Sequence, residues 1–293
     1  ALDSDDPFLR VTGAWGLLKL SDGDSPRRLR KAIEIVMNGL ASDNDDVRLA
    51  AAQALADPDI PDDAVGEAFA KAMVALEAKN PEKIMPIVEA LAALGPKVVP
   101  DCFRSLEEKR PLRFYAMQVL HRVGPGAAPA IPALMVTLDD PDVELQREAL
   151  FALGAIGPAA STATDKVIEM LNGADAEVAR AACYALGGIG PDAQAALPSL
   201  AQLMGSNDEF LPIACIWASL KINTDDDKLK EKAVPYLAKA LSDDREHVRV
   251  EAAYMLGEIG QPAKSAVRAV WQALADTSPA VREAAASAIR ELK

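Results

Sequence analysis

The sequence predicts an all-α fold, a solenoid of antiparallel helix pairs wound into a right-handed superhelix, on three observations. A stretch from Asp142 to Gly157, DVELQREALFALGAIG, returns 33 residues later as DAEVARAACYALGGIG from Asp175 to Gly190. Within it the apolar residues recur at helical spacing. Half of the 293 residues are hydrophobic and only 4% are aromatic; the excess of alanine suits closely packed helices and suits a sheet core poorly.

The returning stretch reads as the second helix of each pair. With its first core residue as marker, nine copies follow: Leu9, Val47, Lys83 (a poor match), Leu112, Leu145, Val178, Leu211, Val248 and Val281. The steps between them are 38, 36, 29, 33, 33, 33, 37 and 33 residues, a period that belongs to stacked helix pairs. Three places before the marker stands a side chain able to cap a helix, at Asp6, Asn44, Asn80, Asp142, Asp175, Asp208 and Ser278. Pro7, Pro81 and Pro279 come next, in the first turn, where a missing N–H costs nothing.

From the marker, apolar residues at plus 4, plus 8 and plus 11 make one inward stripe, as with Val178, Ala182, Leu186 and Ile189. Small residues at plus 4 let neighbouring backbones approach. The helix is expected to stop at plus 12 on Gly95, Gly124, Gly157, Gly190, Gly260 or Asn223, residues that accept left-handed geometry. The first helices begin as AIPALMVTL from Ala130, ALPSLAQLM from Ala196, AVPYLAKAL from Ala233 and AVRAVWQAL from Ala266. Pro132, Pro198, Pro235 and Pro100 are expected inside these helices, bending each of them.

At this point the chain resembles the HEAT-repeat family, in the variety whose second helix reads V-R-x-x-A-A-x-A-L-G-x-I-G. The resemblance runs from Asp6 to the end and is strongest after Pro125. It implies about eight and a half repeats in one continuous array over 1–293, irregular over 1–109 and regular over 110–293. The array opens on a second helix without its partner and closes on another, with Arg290, Glu291 and Lys293 as a polar end. That suggests a piece of a longer chain, because terminal repeats normally carry a polar cap.

Composition limits the chemistry. The formal charge of −13 repels phosphate polymers, which argues against nucleic acid as partner. No run of 18 apolar residues can cross a bilayer, and ALDSDDPFLR lacks the basic and apolar parts of a secretion signal; no membrane insertion is expected and the cytoplasm is the favoured compartment. Cys102, Cys183 and Cys215 have no metal-ligand spacing and read as buried apolar residues, with a bridge between Cys183 and Cys215 left open because they fall on neighbouring second helices. His121 and His247 are too far apart to share a metal, and no His-Glu pair of the HEAT-like hydroxylases occurs. GGIG at Gly187 to Gly190 is a helix end, not a phosphate cradle. No cofactor, metal or catalytic group is expected. Asp139 with Asp140, and Asp243 with Asp244, read as turn residues. Arg10, Arg48, Arg113, Arg249 and Arg282, one place after the marker, read as a ladder reaching the turn aspartate of a neighbouring repeat.

One pattern exceeds the needs of the fold. Projected at 100° per residue, positions plus 2, plus 3, plus 6 and plus 10 lie opposite the core stripe, on the side that lines the concave surface in such solenoids. Column plus 6 holds Trp15, Phe151, Tyr184, Trp217 and Tyr254, and plus 2 and plus 3 add Phe114 and Tyr115. Seven of the 13 aromatics thus share one face, where even scattering would place about 1.6. Such rings either lie sideways against the next repeat or stand out as anchors for a protein or peptide; Arg147 and Arg180 at plus 2 would grip its acidic or carbonyl groups. The pattern is read as a non-enzymatic interaction scaffold of unstated oligomeric state. Two rivals remain: an enzyme of the bilin lyase type, which the repeat also resembles, and a regulatory module of a larger enzyme. A HEAT-like DNA-base glycosylase would need a longer basic stripe than Arg147 and Arg180 supply.

Overall fold

The computed structural model of the chain describes residues 2–20, 26–40, 42–57, 65–66, 69–70, 72–73, 81–107, 111–173, 175–206, 208 and 210–292. Helices joined by short turns make up these residues, with no strand among them. The chain divides into two compact units, Ala1–Ala163 and Thr164–Lys293. The predicted Asn80 cap lies outside the described residues.

In the first unit the second helices are α1 (Pro7–Leu20), α3 (Asp45–Ala56), α4 (Pro81–Ala92), α6 (Leu112–Val123) and α8 (Val143–Ile156), and each packs on the next. Between them run the first helices α2 (Pro26–Gly39), α5 (Val99–Ser105) and α7 (Ile131–Thr137). In the second unit α9 (Thr164–Leu171), α11 (Leu197–Leu203), α13 (Asp227–Ala240) and α15 (Val267–Ala273) are first helices; α10 (Ala176–Ile189), α12 (Leu211–Ile222), α14 (Glu246–Ile259) and α16 (Pro279–Glu291) are second helices.

The start signals act as expected. Asn44, Asp142, Asp175 and Ser278 cap α3, α8, α10 and α16 by accepting from backbone N–H groups of the first turn. Asp6 accepts from Phe8 at 2.8 Å, and Asp208 from Phe210 and Leu211 at 2.9 and 2.7 Å. The inward stripe is dry: Val178 is 3% exposed and Ala182, Leu186 and Ile189 are fully buried. At ~25 cal/mol per Å² of apolar surface removed from water, such stripes are the main source of stability.

The stops are tighter than a simple helix end. Gly95, Gly124, Gly157, Gly190 and Gly260 take φ between 62° and 79°, and each is followed or begun by a short 3₁₀ segment such as Gly124–Ala130, Gly157–Ala163 or Gly190–Ala196. These longer segments each bury two alanines, as Ala127 with Ala130 and Ala193 with Ala196. Because the segment precedes the first helix, Pro132 and Pro198 fall in the first turn of α7 and α11, and Pro100 in that of α5. They do not bend those helices as expected, since no intrahelical hydrogen bond is lost there. Pro235, in contrast, lies inside α13.

The junction between α12 and α13 departs from the rest. Asn223 closes α12 at φ −127°, not in the left-handed region, which corrects the expectation for this residue. No 3₁₀ segment follows. Asp226 starts α13 directly, accepting from Leu229 at 3.0 Å, and Lys230 occupies the place held elsewhere by the buried Ala127, Ala160, Ala193 and Ala263. The step of 37 residues thus holds a non-helical link over 223–226 and then α-helix from Asp227 in place of the 3₁₀ segment. Whereas α10 packs closely on α12 and α14 on α16, the backbones of α12 and α14 scarcely approach one another.

Candidate functional site

The same register on three successive second helices positions the rings of the second unit. Tyr184 of α10 and Trp217 of α12 stack at 5.8 Å between centroids with planes 2° apart. The indole lies over Gly187, where a Cβ would fall 2.2 Å from the ring, so this glycine is what admits Trp217. Both rings remain half-buried, and Tyr254 of α14 is 47% exposed. Tyr184 and Trp217 therefore do pack across neighbouring repeats, yet neither is sealed from solvent.

Charges flank this row. Lys221 binds both oxygens of Glu258 at 3.0 and 2.8 Å. Desolvation pushes the Glu251 carboxyl up and Glu258 adds to the rise, against the opposing pull of Lys221 and a hydrogen bond from Trp217; the residue as a whole still keeps an exposed surface. A cleft of about 290 Å³ opens beside Trp217, walled by Leu220, Lys221, Met255, Glu258 and Ile259.

Arg180 is occupied within the chain. It pairs with Glu177, stands 3.7 Å from Asp208 and lies 5.0 Å over the ring of Phe210. Arg245 covers the same ring and binds Asp243 at 2.7 and 2.8 Å. Burial pushes the Asp208 carboxyl up, but backbone donors at Leu211 and Phe210, with the charges of Arg180 and Arg245, outweigh it and hold the group below the usual range.

In the first unit Phe114 and Tyr115 meet edge-on at 5.8 Å, and Phe151 lies 6.0 Å from His121. Phe114, Tyr115, Arg147 and Phe151 are all half-buried. Glu148, beside Arg147, has its carboxyl raised by burial against a hydrogen bond from Gln118 and the charges of Arg147 and Arg122. Burial and then Arg122 push the His121 imidazole down. Trp15 is tied to its own corner: its indole donates to Asp57 at 3.3 Å while Lys19 sits 5.3 Å over the ring and binds Asp57 at 2.8 Å.

The arginine ladder is real in two rungs. Arg113 pairs with Asp140, and Arg249 with Asp276 at 2.8 and 3.0 Å, each 27 residues ahead. Arg10, Arg48 and Arg282 instead donate to carbonyls of the turn before their own helix. Cys102, Cys183 and Cys215 are buried free thiols, as expected. Among the described residues no three His, Cys, Asp or Glu side chains gather to hold a metal, and no helix is long and apolar enough to cross a membrane.

The irregular junction has a consequence that the repeat pattern does not show. Where α11 and α13 diverge, a cleft of about 530 Å³ forms between Leu197, Ala201, Met204, Ile216, Leu229 and Tyr236, and a further space of about 800 Å³ lies between Met204, Pro212 and Ile213 on one side and Tyr236, Lys239 and Asp244 on the other. The signal for it is present in the 37-residue step and in NTDD, which stands where four other junctions have Gly-Pro. Tyr236 and Trp271, 46% and 55% exposed, lie on first helices and so outside the aromatic columns of the second helices.

Comparison with known proteins agrees with this geometry. Residues 226–290, which run from the start of α13 into α16, match the family model for HEAT repeats. No curated protein sequence matches the chain. Among known structures, a homology model of the full-length AP-3 complex is similar over 98% of this chain and 54% of that one, at 15% identity and a TM-score of 0.54. Kap121p bound to Nup53p is similar over 100% of this chain and 40% of that one, at 14% identity and a TM-score of 0.50. The chain thus spans about half or less of the structures it matches. At these identities the likeness shows the α-solenoid fold alone.

Proposed function

We propose that this chain of HEAT-type repeats is a non-enzymatic scaffold that holds a protein or peptide segment against the ring-bearing face of its second helices. The observation that carries the reading is the row Tyr184, Trp217 and Tyr254. Three consecutive second helices present a large ring at one register, none of them buried, although burying all three would remove apolar surface from water. Aromatic anchors of this kind dominate interface energetics, and the cleft beside Trp217 offers room for a side chain of the bound segment. The wide spacing of α12 and α14 supports the same reading, since a second helix packed directly on α12 would close that cleft. Kap121p, a solenoid of similar form, is seen bound to Nup53p and to Pho4p, which agrees with a segment-binding role without naming a partner here. Phe114, Tyr115, Arg147 and Phe151 are read as the equivalent face of the first unit, while Arg180 acts by fixing Phe210 and not by gripping the partner directly.

A random-peptide display selection on the immobilised chain tests this. Peptides should be enriched on the wild-type protein and lost from Trp217→Ala. Peptides enriched equally on both, or on neither, would overturn the reading.

A further inference from the structure

Two thiols meet between α10 and α12, which pack on one another. Cys183 and Cys215 are both fully buried, and their sulfurs lie 3.6 Å apart, one thiol donating to the other. The pair links the same two consecutive second helices that carry the stacked rings of Tyr184 and Trp217. The helices around it are lined with small residues: Ala181, Ala182 and Ala185 beside Cys183, and Ala214 and Ala218 beside Cys215. A disulfide requires its sulfurs at ~2.05 Å, so they must close by roughly 1.5 Å. Rotation about the side chains and a small approach of two helices faced with alanine can supply that movement.

We propose that Cys183 and Cys215 form an oxidant-dependent disulfide site that fastens the second helix of one repeat to that of the next. The oxidant class is a peroxide. The thiolate sulfur of one cysteine attacks a peroxide oxygen, the O–O bond breaks, and the departing hydroxide leaves as water with the proton of that thiol. The sulfenic acid so formed is attacked by the second sulfur. The S–O bond breaks, the S–S bond forms, and hydroxide takes the second thiol proton as another water. Two electrons thereby pass from the sulfur pair to one peroxide, which becomes two waters.

The reduced pair is stable as it stands. Its hydrogen bond to Cys215 and its burial both push the Cys183 thiol up, so the nucleophilic thiolate is scarce and oxidation proceeds through transient opening of the helix contact. Cys102 provides an internal control: it is equally buried, its thiol is pushed up by burial and by Asp101, and its sulfur has no second thiol beside it among the described cysteines.

The test treats the folded chain with hydrogen peroxide under conditions that leave its circular dichroism unchanged, then alkylates it in denaturant and maps the peptides by mass spectrometry. The expected result is loss of two of the three alkylatable thiols, a chain lighter by two hydrogen atoms, and one linked peptide pair containing Cys183 and Cys215, with Cys102 still alkylated. Cys215→Ala, which keeps a small residue in that column, should yield no linked peptide. If Cys183 and Cys215 still alkylate after peroxide has begun to oxidise Cys102, or if they gain oxygen separately without a link, the proposal is wrong.

Discussion

Trp217 rests against Gly187, so close that a methyl group added to the glycine would fall 2.2 Å from the indole. Alanine is the better helix former by ~1 kcal/mol, so without the ring Gly187→Ala would stabilise α10. With the ring in place we expect a loss of about 1–3 kcal/mol from overpacking, and a gain restored in the Trp217→Ala background. Urea unfolding of the two single variants and the double variant measures this sign reversal. A stabilised Gly187→Ala single variant would show that the ring does not rest there.

Gly190 and Gly16 make a contrasting pair. A side chain on Gly190 would meet little, its nearest neighbour being the Lys221 carbonyl at 4.0 Å, but its φ of +75° is one that other residues rarely adopt. Gly190→Ala should cost about 1–3 kcal/mol. Gly16, inside α1, has no positive φ, and a methyl group added there would meet nothing within 4 Å; it should gain about 0.5–1 kcal/mol as alanine. Thermal or chemical unfolding distinguishes the two.

The Arg249–Asp276 rung sets an acid limit. Hydrogen bonds from Arg249 and from the Ser278 backbone hold the Asp276 carboxyl below its ordinary 3.8. The unfolded chain therefore binds this proton more readily than the folded one. The stabilising contribution is present above 3.8 and disappears as pH falls through the lowered folded value. Asp276→Asn should flatten this part of the acid unfolding curve, and Arg249→Lys, which loses the two-pronged geometry, should do so in part. Melting curves across the acid range provide the check.

Glu148 carries the opposite sign. Burial raises its carboxyl above 4.5 in the folded chain, so the folded state holds the proton more tightly and stability declines as pH rises from 4.5 through the folded value. Glu148→Gln keeps a partner for Gln118 and removes the charge. It should raise the melting temperature at neutral pH and give no advantage below the ordinary glutamate range.

What the sequence reveals follows from which signals are local. The caps Asp142 and Asp175 and the glycines Gly157 and Gly190 act through their own helix ends, and the repeat pattern alone locates them. Pro132 and Pro198 look like interior prolines because the 3₁₀ segment after each glycine delays the helix start, and the repeat pattern does not reveal where one helix type becomes the other. Asn223 stands in a glycine's column, although the short turn at Thr224 and Asp225 leads from it to the Asp226 cap of α13 without a left-handed residue at Asn223. The ring column is visible as a register, but the partners of its members are not. Arg180 turns to Phe210 and Asp208, and Trp217 to Tyr184 and Gly187, through contacts between repeats that no spacing within one repeat encodes.

The row of rings is probed most plainly by a calorimetric titration of a display-selected peptide into the wild-type chain and into Tyr184→Ala, Trp217→Ala and Tyr254→Ala. Hot-spot substitutions should weaken binding by about 2 kcal/mol or more while helical circular dichroism is unchanged. Dissociation constants equal to wild type in all three variants would mean that these rings hold no bound segment.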